Sequence, residues 1–509
     1  MRGRTIVLAG FVTIVAWMSS AAWRPSERWR GFNIVTRIYN DRNEFREDDF
    51  KLIRQLGFNF ARVTLNYRHW IVGGDWSRID DAKLVSVDRA VEYGRKYGVH
   101  IQLCFHRAPG WCVASWPVEP KNLFKDAEPL EVCAKHWRHF AERYKEVPPE
   151  ALSFNLVNEP PGASEDAYAR VARRLIAEIH AVSPERFIVS DGLGGARRPC
   201  AALLGMPGVG QATRGYQPTD VSLYNCPWGS PMAREPMWPY DPCAPIGNFL
   251  GPHKRLAYGD HPLALESLPT GKLGFVFGII NGKVTFEVVA DGERVAEWEL
   301  EPKADDPQWD GYTVSKRWKT ASARFTGTRA VELKKPAKRV EVRVLKGDWA
   351  CIWDVAFRAD GTAIEARFPI YVEFGAHVNY VQRYDVKKNR FHPVPDPGDE
   401  NYVRKYADDG LEYLYRHIFR YWNDALAQGE FAMIGEFAVW KKTPHPVALA
   451  LMEDYLKLAK ERDMGWALWQ FRGEHGICNS GRTDIEYEDI PGFPDYKLDR
   501  KMYELLKRY

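Results

Sequence analysis

The chain has 509 residues, too many for one ordinary hydrophobic core, so we expect two domains or a large insertion. Hydrophobic residues make up 45% and charged residues 27% of the chain, as is typical of globular proteins. The net charge of +4 is small for this length, and no dense Lys/Arg block occurs, which argues against nucleic acid or an anionic membrane as the main partner.

The N-terminal segment has the pattern of a secretory signal peptide. Arg2 and Arg4 precede an apolar run, and small residues follow up to Ala22. We therefore predict a signal peptide at 1–22, cleaved near Ala22, and a secreted or periplasmic protein. An uncleaved membrane anchor is the weaker alternative because the apolar run is short for a bilayer.

The eight cysteines show neither a CxxC pair nor the spacing of a metal finger. In an exported protein some of them could pair, and Cys226 with Cys243 is the one pair that we predict. Cys104 lies in an apolar run, which favours simple burial.

Short apolar runs alternate with helical segments along most of the chain. Strands are predicted at 30–35, 57–63, 99–105, 152–157, 186–190, 221–224, 431–434 and 465–470. Helices are predicted at 48–55, 80–97, 129–144, 163–182, 402–427, 445–462 and 498–506. This alternation predicts parallel strands with helical crossovers, and a count of eight strands favours a closed (β/α)8 TIM barrel over an open sheet.

The pattern breaks in the middle of the chain. Residues 229–255 are rich in Pro and Gly, and short strands follow at 274–280, 284–289, 294–300, 329–333, 339–345 and 350–357. We predict an inserted antiparallel β-sandwich at 256–370, carbohydrate-binding-module-like in architecture. The catalytic barrel would then comprise 23–255 and 371–509.

Two glutamates close apolar strands of the predicted barrel. Glu159 follows the fourth strand within Asn-Glu-Pro, and Glu436 ends the seventh. Active sites of such barrels lie at the carboxyl ends of the strands, so both carboxyls would meet at one mouth. A pair of carboxyls is what glycoside hydrolysis requires, whereas either glutamate alone would more simply form an ion pair at the barrel rim.

The chain resembles glycoside hydrolase family five, a family of cellulase-type retaining glycosidases. The resemblance rests on residues near the ends of successive strands, which are Arg30-Gly31-Phe32-Asn33, Arg62, His106, Asn158-Glu159-Pro160, Tyr224, Glu436 and Trp469. It covers about 28–228 and 400–509 and excludes the sandwich. One departure is Ser222, because the family usually carries a His two residues before the Tyr of the sixth strand.

The resemblance implies a role for each matching residue. Glu159 would be the general acid/base and Glu436 the nucleophile. Arg62 and Tyr224 would lie near the nucleophile and favour its charged form. The sugar-binding residues would be Asn158, which bonds the 2-hydroxyl, His106, which lines the sugar site, and Trp469, which forms its floor.

Further aromatic and charged residues are candidates for the cleft. Trp111 follows the third strand, Trp228 and Trp238 lie on the long sixth loop, and each could stack a sugar or simply pack a loop. Arg472, Glu474 and His475 follow the eighth strand. No phosphate-binding loop, HExxH helix or serine elbow is present, and we expect neither a cofactor nor a metal.

The sequence thus predicts a secreted retaining glycoside hydrolase that cleaves O-glycosidic bonds of a poly- or oligosaccharide by double displacement. Two alternatives stay open at this point. One is an exo-acting glycosidase on an unusual linkage, since the insertion could block an open groove. The other is a carbohydrate-binding protein with a degenerate barrel.

Overall fold

The computed structural model describes residues 23–38, 43–114, 117–160, 162–229, 235–239, 249–250, 262–363, 365–369, 381–387, 389–394 and 410–509. The predicted signal peptide and Cys243 lie outside the described residues. The chain divides into two compact units. One comprises Met1–Ser222, Ile418–His445 and Tyr455–Tyr509, and the other comprises Leu223–His417 and Pro446–Asp454.

The first unit contains a closed barrel of eight parallel strands. In chain order the strands are Arg30–Arg37, Phe60–Asn66, His100–Ala108, Leu152–Asn155, Ile188–Asp191, Val209–Gly215, Ala432–Phe437 and Gly465–Leu468. Each strand pairs with its neighbours in parallel register, and pairing of the second strand with the third completes the ring. The predicted (β/α)8 barrel is confirmed.

The strands form because their side chains are covered on both faces. All nine residues of the third strand, His100–Ala108, are buried, as expected where helices pack around a parallel sheet. At the amino-terminal end the barrel is filled by an apolar cluster that includes Trp29, Phe60 and Phe187. The polar interior side chains are therefore left to the opposite, carboxyl end.

The longer helices follow the predicted segments closely. Their bounds are Glu47–Gln55, Val85–Tyr97, Ala127–Arg143, Glu165–His180, His445–Glu461 and Arg500–Arg508. The predicted helix at 402–427 is interrupted. Its described part forms two short helices, Gly410–His417 and Asn423–Ala427, with a 3-10 turn, Phe419–Trp422, between them. The first helix ends because the backbone of Ile418 leaves the helical region, with φ −132° and ψ −66°. Within the described ranges no helix has the length and apolarity needed to cross a bilayer.

The sixth barrel strand lies earlier in the chain than predicted. It is Val209–Gly215, whereas the predicted strand at 221–224 begins inside the short helix Thr219–Ser222. The observed strand contains polar residues whose bonds are made inside the protein. Gln211 bonds the backbone of Cys200 at 2.8 and 3.0 Å, and Thr213 donates to Ala196 O at 2.9 Å. A strand stabilised by such contacts carries no apolar pattern to find.

The second unit contains two sheets whose strands pair antiparallel, except that Leu263–Leu268 pairs in parallel with Gln382–Asp385. One pairs Phe249–Leu250, Gly271–Asn281, Trp309–Val314, Ala321–Phe325, Thr328–Leu333, Trp349–Ala359 and Ala366–Pro369. The other pairs Leu263–Leu268, Val284–Ala290, Glu293–Leu300, Ala337–Lys346, Gln382–Asp385 and Arg390–Pro393. Side chains from both sheets, Phe277 and Phe286 among them, share one apolar core.

All six predicted sandwich strands are present, and others escaped prediction. The sheets extend to Pro393, beyond the predicted boundary at residue 370. The edge strand Trp309–Val314 was missed because five of its six residues are exposed, so it has no apolar alternation. Every strand of the sandwich lies, in sequence, between the sixth and the seventh barrel strands.

Candidate active site

The two glutamates lie at the carboxyl end of the barrel. Glu436 is the fifth residue of the seventh strand and is 3% exposed. Glu159 follows the fourth strand, and its backbone adopts a positive φ of 47°. Asp191, the last residue of the fifth strand, holds this backbone by accepting a hydrogen bond from Glu159 N at 2.8 Å.

Arg62 is fully buried beneath Glu436. Its Nη1 donates to Glu436 Oε1 at 2.6 Å and to Asn33 Oδ1 at 2.8 Å. Its Nη2 donates to Asn158 Oδ1 at 2.7 Å, and its Nε donates to Asn155 Oδ1 at 2.9 Å. One guanidinium thus ties the first, second, fourth and seventh strands together at the nucleophile position, where Arg62 was predicted to lie.

The phenol next to Glu436 belongs to Tyr216, so the prediction of Tyr224 was wrong. Tyr216 directly follows the sixth strand and donates to Glu436 Oε2 at 3.0 Å. Tyr224 lies in the other compact unit, beyond the helix Thr219–Ser222. The error follows from the position of the sixth strand. Because this strand was predicted at 221–224, the tyrosine at its end was taken to be Tyr224 instead of Tyr216.

Ser222 is corrected with it, because the residue two positions before Tyr216 is Arg214. Arg214 Nε contacts Glu159 Oε1 at 3.2 Å, and Nη2 lies 3.4 Å from Glu436 Oε1. Ser222 instead donates from Oγ to the backbone oxygen of Tyr216 at 2.5 Å. Where the family usually carries a His, this chain therefore has a cation that reaches both carboxyls.

Arg214 also pairs with Asp191, and neither residue was predicted from the sequence. Arg214 Nη2 donates to Asp191 Oδ2 and, at 2.9 Å, to Asn158 Oδ1. Asp191 is fully buried. The available signal was that each of these charged residues stands at or next to the carboxyl end of a barrel strand, as the two glutamates do.

The surroundings drive the two glutamates toward opposite protonation states. Burial, reinforced by the charge of Glu436, raises the pKa of Glu159 to about 7 against the opposing effect of Arg214. Burial also disfavours the charge of Glu436, but Arg214 and Arg62 outweigh it and lower the pKa of Glu436. One carboxyl therefore holds a proton near neutral pH while the other is ionised.

His106, Trp469 and Asn158 surround the same carboxyls. The ring of His106 stacks on Trp469 with centroids 5.3 Å apart, and its Nδ1 lies 4.0 Å from Glu436 Oε1. Burial lowers the pKa of His106 to about 4, so the ring is neutral. Asn158 uses Oδ1 for the two arginines, and its buried Nδ2 has no hydrogen-bond partner in the described part of the chain. This amide can donate to a sugar hydroxyl.

The aromatic candidates on the loops have different environments. Trp111 Nε1 donates to Asn158 O at 2.9 Å, so this ring is anchored beside the carboxyls. Trp228 is 62% exposed. Trp238 is buried and donates to Asp454 at 3.0 Å, which contradicts a role as an exposed stacking platform.

The residues after the eighth strand are held by ion pairs or burial. Arg472 Nε contacts Asp49 at 2.6 Å, and Glu474 pairs with Lys441 at 2.8 Å. His475 is buried, which lowers its pKa to about 3, and the charge of Glu436 acts on it in the opposite direction. His475 is thus a neutral ring within electrostatic range of Glu436. Within the described ranges, no group of three or more His, Cys, Asp or Glu residues is placed to hold a metal ion.

Two carboxyls with opposite preferences for a proton, at the carboxyl ends of the strands of a (β/α)8 barrel, are typical of barrel-type glycoside hydrolases. Comparison with known proteins makes the class specific. Residues 20–219 match the family model described as cellulase, glycosyl hydrolase family 5. Over these residues the chain is similar to that family, which is the resemblance that its sequence motifs indicated.

Curated relatives are similar over a limited segment. Endoglucanase C of Acetivibrio thermocellus is 23% identical over 146 residues, which are 29% of this chain and 42% of the relative. Cellodextrinase A of Ruminococcus flavefaciens is 26% identical over 151 residues, 29% of this chain and 43% of the relative. Probable glucan 1,3-beta-glucosidase A of Aspergillus clavatus is 24% identical over 152 residues, which are 29% of this chain and 36% of the relative. The chain spans less than half the length of each of these relatives.

Solved structures share the fold. A structure described as a glycoside hydrolase superposes with a TM-score of 0.56 and 22% identity, covering 94% of this chain and 99% of the other. A hyperthermophilic endo-beta-1,4-glucanase in complex with substrate gives a TM-score of 0.51 and 12% identity, covering 94% and 97%. At these identities the similarity shows the fold alone.

Proposed function

We propose that the chain is a retaining glycoside hydrolase that cleaves O-glycosidic bonds by double displacement. The observation that carries the proposal is the pair of carboxyls on one guanidinium, with Glu159 3.2 Å and Glu436 3.4 Å from Arg214 and with opposite preferences for a proton. In a retaining enzyme the two carboxyls lie close together, about 5–5.5 Å apart, and one guanidinium in contact with both agrees with such a spacing.

In the first half-reaction, Glu436 attacks the anomeric carbon while Glu159 protonates the leaving oxygen. In the second, Glu159 accepts a proton from water, and that water displaces Glu436 from the sugar. Arg62 and Tyr216 hold Glu436 at 2.6 and 3.0 Å, so the nucleophile enters the reaction already oriented. The free Nδ2 of Asn158 supplies a donor for the sugar 2-hydroxyl, and Trp469 a flat apolar surface beneath the ring.

A β-glucan is the substrate class that we propose. The relatives are named for endoglucanase, cellodextrinase and glucan 1,3-beta-glucosidase activity, and all of these names refer to glucans. Their names differ in linkage and in endo or exo action, so the proposal goes no further than the glucan. The signal-peptide pattern of residues 1–22 supports action outside the cytoplasm.

The decisive experiment compares wild type with Glu436→Ala and Glu159→Ala on an aryl β-glucoside with an activated leaving group. We expect Glu436→Ala to abolish turnover. Glu159→Ala should retain part of the first step, because such a leaving group needs little protonation, and added azide should accelerate the second step by forming a glycosyl azide. Glu92→Ala, on the exposed face of the helix Val85–Tyr97, is the matched control.

The anomeric configuration of the first-formed product, followed by NMR, tests retention. Product with the configuration of the substrate is expected, and inverted product would exclude double displacement. Equal rates for wild type and Glu436→Ala would exclude the enzymatic proposal and favour the carbohydrate-binding alternative. Product analysis on a panel of β-glucans, with release of single units against mixed oligomers, separates exo from endo attack.

A further inference from the structure

Five charged side chains from five barrel strands or the turns that follow them converge at the mouth of the barrel. Two are arginines and three are carboxylic acids, namely Arg62, Arg214, Glu159, Asp191 and Glu436. Four of them are at most 5% exposed, and the side chain of Glu159 is 17% exposed. Among the described residues, the other titratable groups near Glu159 and Glu436 are neutral. Burial lowers the pKa of His106 to about 4 and that of His475 to about 3, and it raises the pKa of Tyr216 well above its ordinary value and that of Cys104 to about 12.

Charge balance assigns a proton to this cluster. Two arginines cannot neutralise three carboxylates, and an uncompensated charge in a buried site costs several kcal/mol. Glu436 has contacts from both arginines and from Tyr216. Asp191 accepts from Arg214, from Glu159 N at 2.8 Å and from Asn155 Nδ2 at 3.1 Å.

Glu159 is the least well compensated of the three acids. Among the residues that the structure describes, its carboxyl contacts one cation, at 3.2 Å from Arg214 Nε. The proton is therefore on Glu159, because the negative charge of Asp191 already compensates the positive charge of Arg214. Without Asp191, the second positive charge would draw Glu159 into its ionised form.

We propose that Arg214 and Asp191 form a fixed pair of positioning residues that keeps the proton on Glu159 and lets one negative charge pass between Glu436 and Glu159 during turnover. The inference rests on the proposed glycosidase function and extends it to two residues that take no part in bond making. Because Arg214 lies within 3.5 Å of both glutamates, the same cation can compensate the charge at either position.

The charge count stays constant through both half-reactions. In the resting site Glu436 and Asp191 are negative and Glu159 is neutral. When Glu436 bonds to the anomeric carbon, the bond to the leaving group breaks and that group leaves with the proton of Glu159. Glu436 is then a neutral ester and Glu159 a carboxylate. Attack by water returns the proton to Glu159 and the charge to Glu436. Two cations face two anions in each state.

The test is Asp191→Asn, which keeps an oxygen that can accept from Glu159 N but removes the charge. We expect the alkaline limb of the kcat/KM profile to move to lower pH by about one unit, because without the charge of Asp191 the cation of Arg214 favours ionised Glu159. At neutral pH an unactivated glycoside should be cleaved about tenfold or more slowly, within the range that general acids contribute. A dinitrophenyl glycoside, which needs no acid, should be affected far less.

Asp88→Asn is the matched control, because Asp88 forms a half-buried ion pair with Arg143 on the outer helices at 2.6 Å. It should leave the pH profile unchanged. A second pair of variants tests the cation. The pH of the alkaline limb should stay closer to the wild-type value in Arg214→Lys, which keeps a positive charge, than in Arg214→Gln, which does not. An unchanged limb in Asp191→Asn, or equal losses for both substrates, would overturn the proposal.

A readout without turnover separates this inference from the proposed function. Infrared difference spectroscopy can follow the carbonyl band of protonated Glu159 against pH, with Glu159→Gln to assign it. We expect the band to disappear near pH 7 in wild type and at lower pH in Asp191→Asn. If wild type cleaves no glycoside, the proposed function fails while this titration still decides the role of Asp191. A Glu159 already ionised at pH 5 in wild type would overturn the inference even if Asp191→Asn does not fold.

Discussion

Glu159→Gln is expected to stabilise the protein at alkaline pH while removing its acid/base. The pKa of Glu159 is about 7 in the folded chain, against an ordinary value of 4.5. A rise of that size corresponds to about 3 kcal/mol of free energy of unfolding, since each unit is worth roughly 1.4 kcal/mol. Glutamine has the same shape without the charge, so the variant escapes this cost.

The direction of the effect depends on pH. Below about pH 4.5 the carboxyl is protonated in both the folded and the unfolded chain, and the variant and wild type should differ little. Between pH 4.5 and 7 the unfolded chain releases the proton before the folded chain does, so wild type loses stability relative to Glu159→Gln. Above pH 7 the carboxyl is ionised in both states, and the full difference of about 3 kcal/mol persists.

The assay is denaturant unfolding of both proteins at pH 4.5, 6 and 8, followed by tryptophan fluorescence of the barrel. Glu92→Gln, on an exposed helix face, is the control and should show no pH-dependent difference from wild type. A Glu159→Gln protein that is less stable than wild type at pH 8, or whose difference does not vary with pH, would refute the electrostatic reasoning.

Other expected outcomes follow from the same site. The kcat/KM of wild type should be bell-shaped, with an acid limb below pH 4.5 from Glu436 and an alkaline limb near pH 7 from Glu159, and a rate that keeps rising above pH 8 would contradict this assignment. Arg62→Leu should cost about 3–5 kcal/mol in denaturant unfolding, because it leaves Glu436 buried without its closest cation, and a loss below 1 kcal/mol would count against that reading. Tyr216→Phe should lower kcat about tenfold or more through the lost hydrogen bond to Glu436, and an unchanged kcat would show that the phenol is dispensable. N-terminal sequencing of the exported protein should find a start near Trp23, and an intact residue 1 would favour the anchor.

Much of the fold could be predicted because the information is local. The third strand and the helix Val85–Tyr97 show their burial patterns within about ten residues of sequence, so periodicity alone finds them. The sandwich strands with one buried face were found in the same way. The exposed edge strand Trp309–Val314 was not, because its position depends on pairing with Ala321–Phe325 rather than on burial of its own side chains.

The site residues likewise fall into those that the local sequence indicated and those that it did not. Glu159 and Glu436 stand at or near the ends of apolar strands, Arg62 lies within one, and the motifs around them pointed to a family. The sixth strand carries Gln211, Thr213 and Arg214 in place of an apolar run. It was therefore predicted too far along the chain, and the site residues at its end were not identified.

The sequence by itself determined the barrel, its insertion and the strand-end position of the two glutamates, because periodic burial and strand-end position are properties of neighbouring residues. Tertiary structure alone decided that Tyr216 rather than Tyr224 bonds Glu436, and that Arg214 contacts both glutamates while it pairs with Asp191. Those contacts join strands far apart in the chain. Their electrostatic effect exists only where the closed barrel brings the charges together and excludes water.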